Sequence, residues 1–222
     1  MNVTLELDHV FVCCSVGAPE RRALLSLGLK EGSPNRHPGQ GTACRRFFFH
    51  STYLELIWVS DSQEARSEAV RPTRLWDRWL GRTDTACPFG IVLRPSAAAG
   101  EPVLAFPTWA YRPAYLPPQM TIEIAQDTPL SEPGFFFLRS HGDRAHFDRE
   151  PRSHRPPTHE LSGVRILAPT SAPLSRAAAS VQAAGVVTFD KADQYSMELS
   201  FGGASQEESA DLRPDLPIVL RW

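Results

Sequence analysis

The first sixty residues contain apolar positions whose spacing changes along the chain, and each spacing predicts a different element. Residues 5–14 form a nearly continuous apolar run rich in Val and Phe, which is typical of a buried strand. Ala23, Leu24 and Leu27 then recur at helical spacing, and Gly28 is a typical C-cap. The composition that follows predicts a short strand at 29–32, a loop at 33–42, and strands at 43–49 and 52–59.

The last sixty residues present the same order of elements. We predict a strand at 161–168, an alanine-rich helix at 172–184 ended by Gly185, and strands at 186–190, 195–201 and 216–222. Each end of the chain therefore reads strand, helix, strand, strand, strand. This repeat predicts an α+β fold with two βαβββ modules, 1–60 and 159–222, joined in one compact unit around an insertion at 61–158.

The predicted insertion is more varied in composition. Residues 63–80 have a helical pattern that Pro72 interrupts, and short strands are predicted at 89–93, 121–125 and 135–138. Residues 111–118 are proline-rich and should be extended. Residues 140–157 carry many charges and three histidines, which predicts an exposed connector.

Composition and charge exclude several classes of protein. Apolar residues make up 42% and charged residues 22% of the chain, as in globular proteins, and no apolar run is long enough for a transmembrane helix. The N-terminal residues lack the basic start of a cleaved signal peptide. A net charge of −2 and a pI of about 6.4 do not suit a nucleic-acid-binding surface. We therefore expect a cytoplasmic protein that binds neither nucleic acid nor membrane.

The four cysteines form no CxxC pair, so a zinc ribbon is excluded. Buried free thiols in a reducing compartment are the expected state, with Cys87 as an alternative candidate nucleophile. A nucleophile elbow, a phosphate loop and a dinucleotide fingerprint do not occur in the sequence.

Three segments resemble the vicinal oxygen chelate superfamily in its glyoxalase-like branch: LDHVFV at 7–12, HPGQGTA at 37–43 and YLELIWV at 53–59. The resemblance covers residues 5–95 well and 159–222 loosely. It implies two βαβββ modules around a cleft in which many members hold a divalent metal. It also implies an isomerase, lyase or hydrolase acting on a small substrate with vicinal oxygens. The alternatives are a metal-free protein that binds or sequesters small molecules, and a relic whose pocket has closed.

His9 and Glu55 occupy the positions that the resemblance assigns to metal ligands. They are accordingly predicted to be catalytic, either as ligands or as an acid–base pair. An imidazole and a carboxylate suit Zn, Mn, Ni or Fe. Because side chains alternate along a strand, each group should point into the cleft among apolar neighbours. These neighbours are Phe11 and Cys13 beside His9, and Tyr53 and Ile57 beside Glu55.

The second predicted module departs from the pattern of the superfamily. Its matching positions are Gly163 and Val219, and neither side chain can bind a metal. Two ligands would hold a divalent ion weakly unless water, substrate or another residue contributes a third donor. The candidates are His37, His50 and His159.

The loop at 37–42 is the first candidate for substrate binding. Gly39 and Gly41 allow a close approach of the backbone, which could place His37, Gln40 and Thr42 beside a ligand. An ordinary connector whose glycines serve turns is the alternative.

Arginine and aromatic side chains provide the remaining candidates. Arg45 and Arg46 must face opposite ways in a strand, and Arg46 is assigned to substrate orientation although alternation leaves open which one faces the cleft. Phe89, Trp109 and Tyr111 are predicted to contact substrate, with the segment from Trp109 as an apolar lid. Superfamily members often dimerise, so the resemblance allows a homodimer.

Overall fold

A computed structural model of the chain describes residues 5–96, 104–139, 145–202 and 208–222. The described residues form mostly β-structure: thirteen strands in two sheets, with four short α-helices. The larger sheet has eight strands and curls into a half-barrel, as the predicted α+β fold of glyoxalase type requires. No helix in these ranges is long and apolar enough to cross a membrane.

The first module folds in the predicted order. Its elements are β1 (Leu5–Cys13), α1 (Arg21–Leu27), β2 (Asn35–His37), β3 (Thr42–Phe48) and β4 (Tyr53–Val59). β1 pairs in parallel with β4, and β4, β3 and β2 follow as antiparallel neighbours. Gly28 ends α1 at φ 99°, a left-handed conformation that glycine adopts without strain. The strand predicted at 29–32 is wrong: β2 lies within the predicted loop, where three polar residues gave no alternating pattern.

A second copy of this pairing lies inside the region predicted to be an insertion. Its strands are β5 (Phe89–Pro95), β6 (Thr108–Tyr111), β7 (Ile122–Ala125) and β8 (Gly134–Leu138). β5 pairs in parallel with β8, and β8, β7 and β6 are antiparallel neighbours, as in the first module. β5 also pairs antiparallel with β1, which joins the two copies edge to edge. The resulting order is β2-β3-β4-β1-β5-β8-β7-β6.

Between the two copies the chain forms short helical segments. They are α2 (Ser62–Ala65), a 3₁₀ turn (Arg71–Thr73) and α3 (Leu75–Leu80). Pro72 lies in the 3₁₀ turn, so the predicted interruption of the helix is observed.

The C-terminal segment has the predicted kinds of element but pairs them differently. Its elements are β9 (Leu161–Ala168), α4 (Arg176–Ala183), β10 (Val187–Lys191), β11 (Ser196–Phe201), β12 (Ser209–Asp211) and β13 (Ile218–Arg221). They form a separate sheet of order β10-β9-β11-β13-β12. Here α4 crosses back so that β10 lies parallel beside β9, whereas a βαβββ module pairs its first strand with its last. The prediction that 159–222 is the second module is corrected accordingly.

The two faces of the large sheet have different roles. Its outer face packs on the five-stranded sheet, and Val10, Leu54 and Leu93 share one apolar core with Val164 and Leu199. Its inner face carries a smaller apolar cluster built from Phe11, Cys13, Cys44, Ile57, Leu75, Val92, Tyr111, Ile124 and Phe136. The inner face is therefore the side on which a ligand can be enclosed.

The predicted connector at 140–157 is described only from residue 145. A 3₁₀ turn spans Ala145–Arg149. His154 is buried rather than exposed, because its ring bonds the carbonyl of Phe48 and accepts from the backbone N–H of Lys30. This part of the segment is therefore attached to the first module.

Candidate functional site

The inner face of the eight-stranded sheet encloses a cavity of about 190 Å³ to which both copies contribute. One part of its lining is polar or aromatic and comes from the first module: His9, Asn35, His37, Gln40, Tyr53 and Glu55. The rest is apolar or aromatic: Phe11, Ile57, Leu75, Val92, Tyr111, Tyr115, Leu116, Ile122, Phe136 and Leu138. The cavity thus has a group of polar side chains from the first module, and the rest of its lining is mostly apolar.

His9 is fixed on β1 by two contacts. Its Nδ1 lies 2.8 Å from Oδ1 of Asp8, and its ring stacks on Tyr53 with centroids 4.2 Å apart. Burial acts to raise the pKa of Asp8, but the hydrogen bond and charge of His9 and the guanidinium of Arg94 outweigh it and lower that pKa. Ionised Asp8 accepts the Nδ1 hydrogen, which leaves Nε2 as the ring nitrogen on the cavity side, near Glu55.

Glu55 on β4 lies beside His9. Its Oε2 is 3.9 Å from Nε2 of His9, and both side chains line the cavity. The side chains of Tyr53 and Ile57 line it too, as strand alternation requires. The other carboxylate oxygen accepts a hydrogen bond from the thiol of Cys44 at 3.4 Å. The structure thus brings His9 and Glu55 together, while their catalytic roles stay a prediction.

His37, at the end of β2, has hydrogen-bond partners on both ring nitrogens. Asn35 donates an amide N–H to Nε2 at 3.2 Å, so Nδ1 carries the hydrogen and donates to the hydroxyl of Thr42 at 2.9 Å. Gln40 also donates to that hydroxyl, at 2.8 Å. Burial lowers the pKa of His37, and the charges of His9 and Arg46 act in the same direction although Glu55 opposes them. A neutral imidazole with its lone pair on Nε2 results.

Cys44 is the inner-face residue that the sequence analysis missed as a site residue. It lies on β3 between Asn35 of β2 and Ile57 of β4 and is fully buried. Burial raises the pKa of its thiol, and the neighbouring Glu55 charge raises it further. The ligand atoms of His37, Cys44 and Glu55 lie within 4.8 Å of one another. Its place two residues after Thr42 on one strand indicates which face it shares, but not its contact with Glu55.

The loop at 37–42 lies at the cavity, while its role in substrate binding stays a prediction. Gln40 lines it directly, and Tyr115 donates its hydroxyl to the Gln40 side-chain oxygen at 3.4 Å. Thr42 lies behind His37 and Gln40 and holds both. Gly41 has φ 73°, and a Cβ there would come within 2.3 Å of the Asp61 carbonyl, so this position requires glycine.

Arg46 is on the inner face, directly opposite Glu55 in the strand register, but it does not line the cavity. Its guanidinium donates to the carbonyl and hydroxyl of Ser33 and lies 5.0 Å from the ring centre of Phe48. Arg45 points to the other face and pairs with Glu31 at 2.6 Å. Arg46 therefore lies outside the cavity lining with donors bound to Ser33, and its role in substrate orientation stays a prediction.

The aromatic residues predicted to contact substrate do not all reach the cavity. Tyr111 lines the cavity, whereas Trp109 lies beside Tyr111, with ring centres 5.7 Å apart, and is not among the lining residues. Phe89 is fully buried in the core between the two sheets. The prediction that Phe89 contacts substrate is therefore corrected. Tyr115 and Leu116, which follow Trp109 in the predicted lid segment, do border the cavity.

The remaining candidates lie outside the cavity lining. His50 and His159 are exposed and joined by a backbone hydrogen bond of 2.7 Å, so neither supplies the third donor. Cys87 is fully buried, and burial raises the pKa of its thiol to about 12, which does not suit a nucleophile.

A match over most of the sequence identifies the family of this chain. The profile of the glyoxalase-like domain matches residues 7–182, which is more than half of the chain. The chain belongs to the glyoxalase-like domain family. This family is part of the vicinal oxygen chelate superfamily, so the resemblance seen in the three segments is confirmed. A hypothetical protein from Staphylococcus aureus has a similar structure, with a TM-score of 0.52, 11% identity and coverage of 98% of each chain. No match was found among curated proteins.

Metal binding is common in the superfamily, and the residues of this glyoxalase-like domain fit a divalent ion. Asp8 and Thr42 hold the Nδ1 atoms of His9 and His37, and Oε2 of Glu55 lies 3.9 Å from Nε2 of His9. Imidazole, carboxylate and thiol are ligands of zinc and of other first-row metals. One group of donors is close enough to share an ion: His37 and Glu55, which line the cavity, and Cys44, which is buried beside them.

Proposed function

We propose that this glyoxalase-like protein is a metal-assisted enzyme that transfers a proton within a small, uncharged organic substrate bearing two adjacent oxygen atoms. The reaction class is isomerase or lyase. One observation carries the proposal: Nε2 of His9 and Oε2 of Glu55 lie 3.9 Å apart at the polar end of an otherwise apolar cavity. Catalytic acids and bases are commonly found in such settings.

The size of the cavity supports a small substrate. An apolar cavity of about 150 Å³ accommodates benzene. The cavity here, at about 190 Å³, therefore suits a single ring with a short substituent, or a short branched chain. A peptide conjugate or a nucleotide would extend well beyond it.

The charges around the cavity support an uncharged substrate. Among the described residues that line it there is neither lysine nor arginine, and Glu55 contributes a carboxylate. Burying a second carboxylate without a cationic partner would cost several kcal/mol. The substrate body is therefore expected to be neutral and to contact Val92, Ile122 and Phe136.

In this mechanism His9 moves the proton. Its Nε2 accepts a proton from a substrate hydroxyl, or from a carbon beside a carbonyl, and later returns it to a neighbouring atom. The imidazolium formed in between is stabilised by Asp8 at Nδ1 and by Glu55 near Nε2. Gln40 and Tyr111 border the space in which the substrate oxygens would lie. A divalent ion bound at Glu55 would supply Lewis-acid stabilisation of the oxyanion.

The test uses catechol, which has two adjacent hydroxyls and fits the cavity by size. We expect catechol bound to the native protein to be ionised near neutral pH, giving the ultraviolet difference spectrum of the catecholate. His9→Ala should abolish this signal, because Nε2 is the proton acceptor. His50→Ala, an exposed histidine outside the cavity, is the matched control and should retain it. Catecholate formation that survives in His9→Ala, or no catechol binding at all, would refute the proposal.

A metal-free sequestering protein is the second candidate, because most of the cavity lining is apolar or aromatic. Such a protein should bind catechol in its neutral form and with the same affinity after treatment with a chelator. The difference spectrum, recorded with and without chelator, separates the two functions.

A further inference from the structure

We propose that His37, Cys44 and Glu55 form a zinc site within the first module, with the fourth coordination position open to the cavity. The proposal rests on the proposed function, because it names the ligands of the metal ion invoked there, and its test has a separate readout. Metal ligands in the family pattern come from both modules, whereas these three donors lie on β2, β3 and β4, which are adjacent strands of one module.

The strand register brings the three donors together. His37 pairs with Thr42 across β2 and β3, and Cys44 and Glu55 lie diagonally across β3 and β4. All three side chains are buried, and their ligand atoms lie within 4.8 Å of one another. Zinc bonds of about 2.0 to 2.3 Å bring ligand atoms to roughly 3.5 Å apart, so the side chains need to move by only about an ångström.

The hydrogen bonds already orient the donors for a cation. Nδ1 of His37 is bound to Thr42, so the lone pair is on Nε2, where the amide of Asn35 now donates to it. A second partner that fixes the imidazole tautomer in this way is usual for metal-bound histidine. The Cys44 thiol points at Glu55, the third donor.

The second copy offers no equivalent donors on its described strands. The inner face of β5, β7 and β8 presents apolar side chains, among them Val92, Ile124 and Phe136. Among the described strands of the large sheet, the inner-face donors that lie close enough to share an ion therefore come from the first module. Three protein ligands and one open position are the usual arrangement of a catalytic zinc ion.

The thiol determines which metal is preferred. Thiolate ligands favour zinc over Mg²⁺, Ca²⁺ and Mn²⁺, which prefer oxygen donors. On binding, the metal–sulfur bond replaces the S–H bond of Cys44, and the proton is released to solvent. His9, 3.9 Å from Glu55, stays available as the proton acceptor.

The experiment uses Co²⁺ as a spectroscopic substitute for zinc in the full chain after chelator treatment. Wild type should bind one equivalent and show a thiolate-to-cobalt charge-transfer band in the near ultraviolet. Cys44→Ser should lose the band, and His37→Ala should bind Co²⁺ at least about tenfold more weakly. Cys13→Ser changes another buried cysteine of the inner face and is the matched control that should keep the band.

Circular dichroism of Cys44→Ser and of Cys44→Ala establishes that each variant folds before its spectrum is compared. A wild-type protein without the band, or a band that persists in both folded Cys44 variants, would overturn the zinc site. Catecholate formation without a cobalt band would remove this inference and leave proton transfer by His9 intact. A cobalt band without catechol binding would refute the proposed function and leave the zinc site intact.

Discussion

At the scale of single residues, the position of His9 depends on the side chains packed around its ring. Asp8 holds Nδ1, Arg94 lies 3.2 Å from the second oxygen of Asp8, and Tyr53 stacks on the ring. All four side chains are largely buried or semi-buried, so solvent screens their interactions weakly. The direction in which Nε2 points is therefore determined by the protein before any ligand arrives.

Replacing Asp8 tests this arrangement. In Asp8→Asn the amide oxygen can still accept the Nδ1 hydrogen, but the negative charge that stabilises an imidazolium is lost. We expect the pKa for ionisation of bound catechol to rise by about one unit or more, equivalent to about 1.4 kcal/mol. The measurement is the catecholate difference spectrum as a function of pH. Asp211→Asn removes an exposed carboxylate that pairs with Arg213 and should leave that pKa unchanged; an equal shift in both variants would contradict the role of Asp8.

Residues of the candidate site were predictable from the sequence where strand alternation alone determines which way a side chain points. His9 and Glu55 reach one cavity because each occupies the inner face of a strand, which the sequence pattern indicates. Cys44 could not be found in this way, since its contact with Glu55 depends on the pairing register of β3 with β4. Phe89 was misplaced for a related reason: its strand is apolar on both faces, so no alternation shows which face meets the cavity.

At the scale of secondary-structure elements, the pairing of β1 with β5 is what joins the two copies into one sheet. Gly90 of β5 lies opposite Phe11 of β1, and a Cβ on Gly90 would come within 2.0 Å of the Phe11 ring. The ring of Phe11 also lines the cavity. Glycine at this position therefore allows both the close strand contact and the shape of the cavity.

Gly90→Ala should lower the free energy of unfolding by about 1 to 3 kcal/mol, because the Phe11 ring must leave its position in a packed cluster. Urea denaturation measures the change. Gly163→Ala is the control: it too lies in a strand, but the nearest atom to its added Cβ is 3.7 Å away, an ordinary contact. The control should change stability by less than about 0.5 kcal/mol. Equal effects of the two substitutions would show that the Gly90–Phe11 contact does not constrain the junction.

The order of elements was predictable, but their pairing was not. The C-terminal segment reads strand, helix, strand, strand, strand as the first module does, yet it forms a different sheet. In the first module β1 pairs with β4, whereas β9 pairs with β10 directly after α4. Which strands pair depends on the apolar surface that each finds in the folded chain, and local patterns do not contain that information. For the same reason the sequence predicts an insertion where the structure has the second copy, β5 to β8.

At the scale of the whole molecule, the large sheet has one face for stability and one for the ligand. Successive residues on one strand therefore have different functions. Phe137 of β8 packs in the core shared by the two sheets, and Phe136 beside it faces the cavity. The five-stranded sheet covers the outer face, so side chains of the inner face can differ without disturbing the core between the two sheets.

Alanine substitutions at Phe136 and Phe137 test whether the two faces of the sheet have these separate roles. Phe137→Ala leaves a hole in a close-packed core and should cost about 3 to 5 kcal/mol of unfolding free energy. Phe136→Ala should cost less, since its ring borders open space, and it should enlarge the cavity. We expect Phe136→Ala to bind a butyl-substituted catechol more tightly relative to catechol, while Phe137→Ala keeps the wild-type preference. Urea denaturation and calorimetric binding measure the two effects. The separation of faces fails if both variants lose the same stability and neither changes the preferred ligand size.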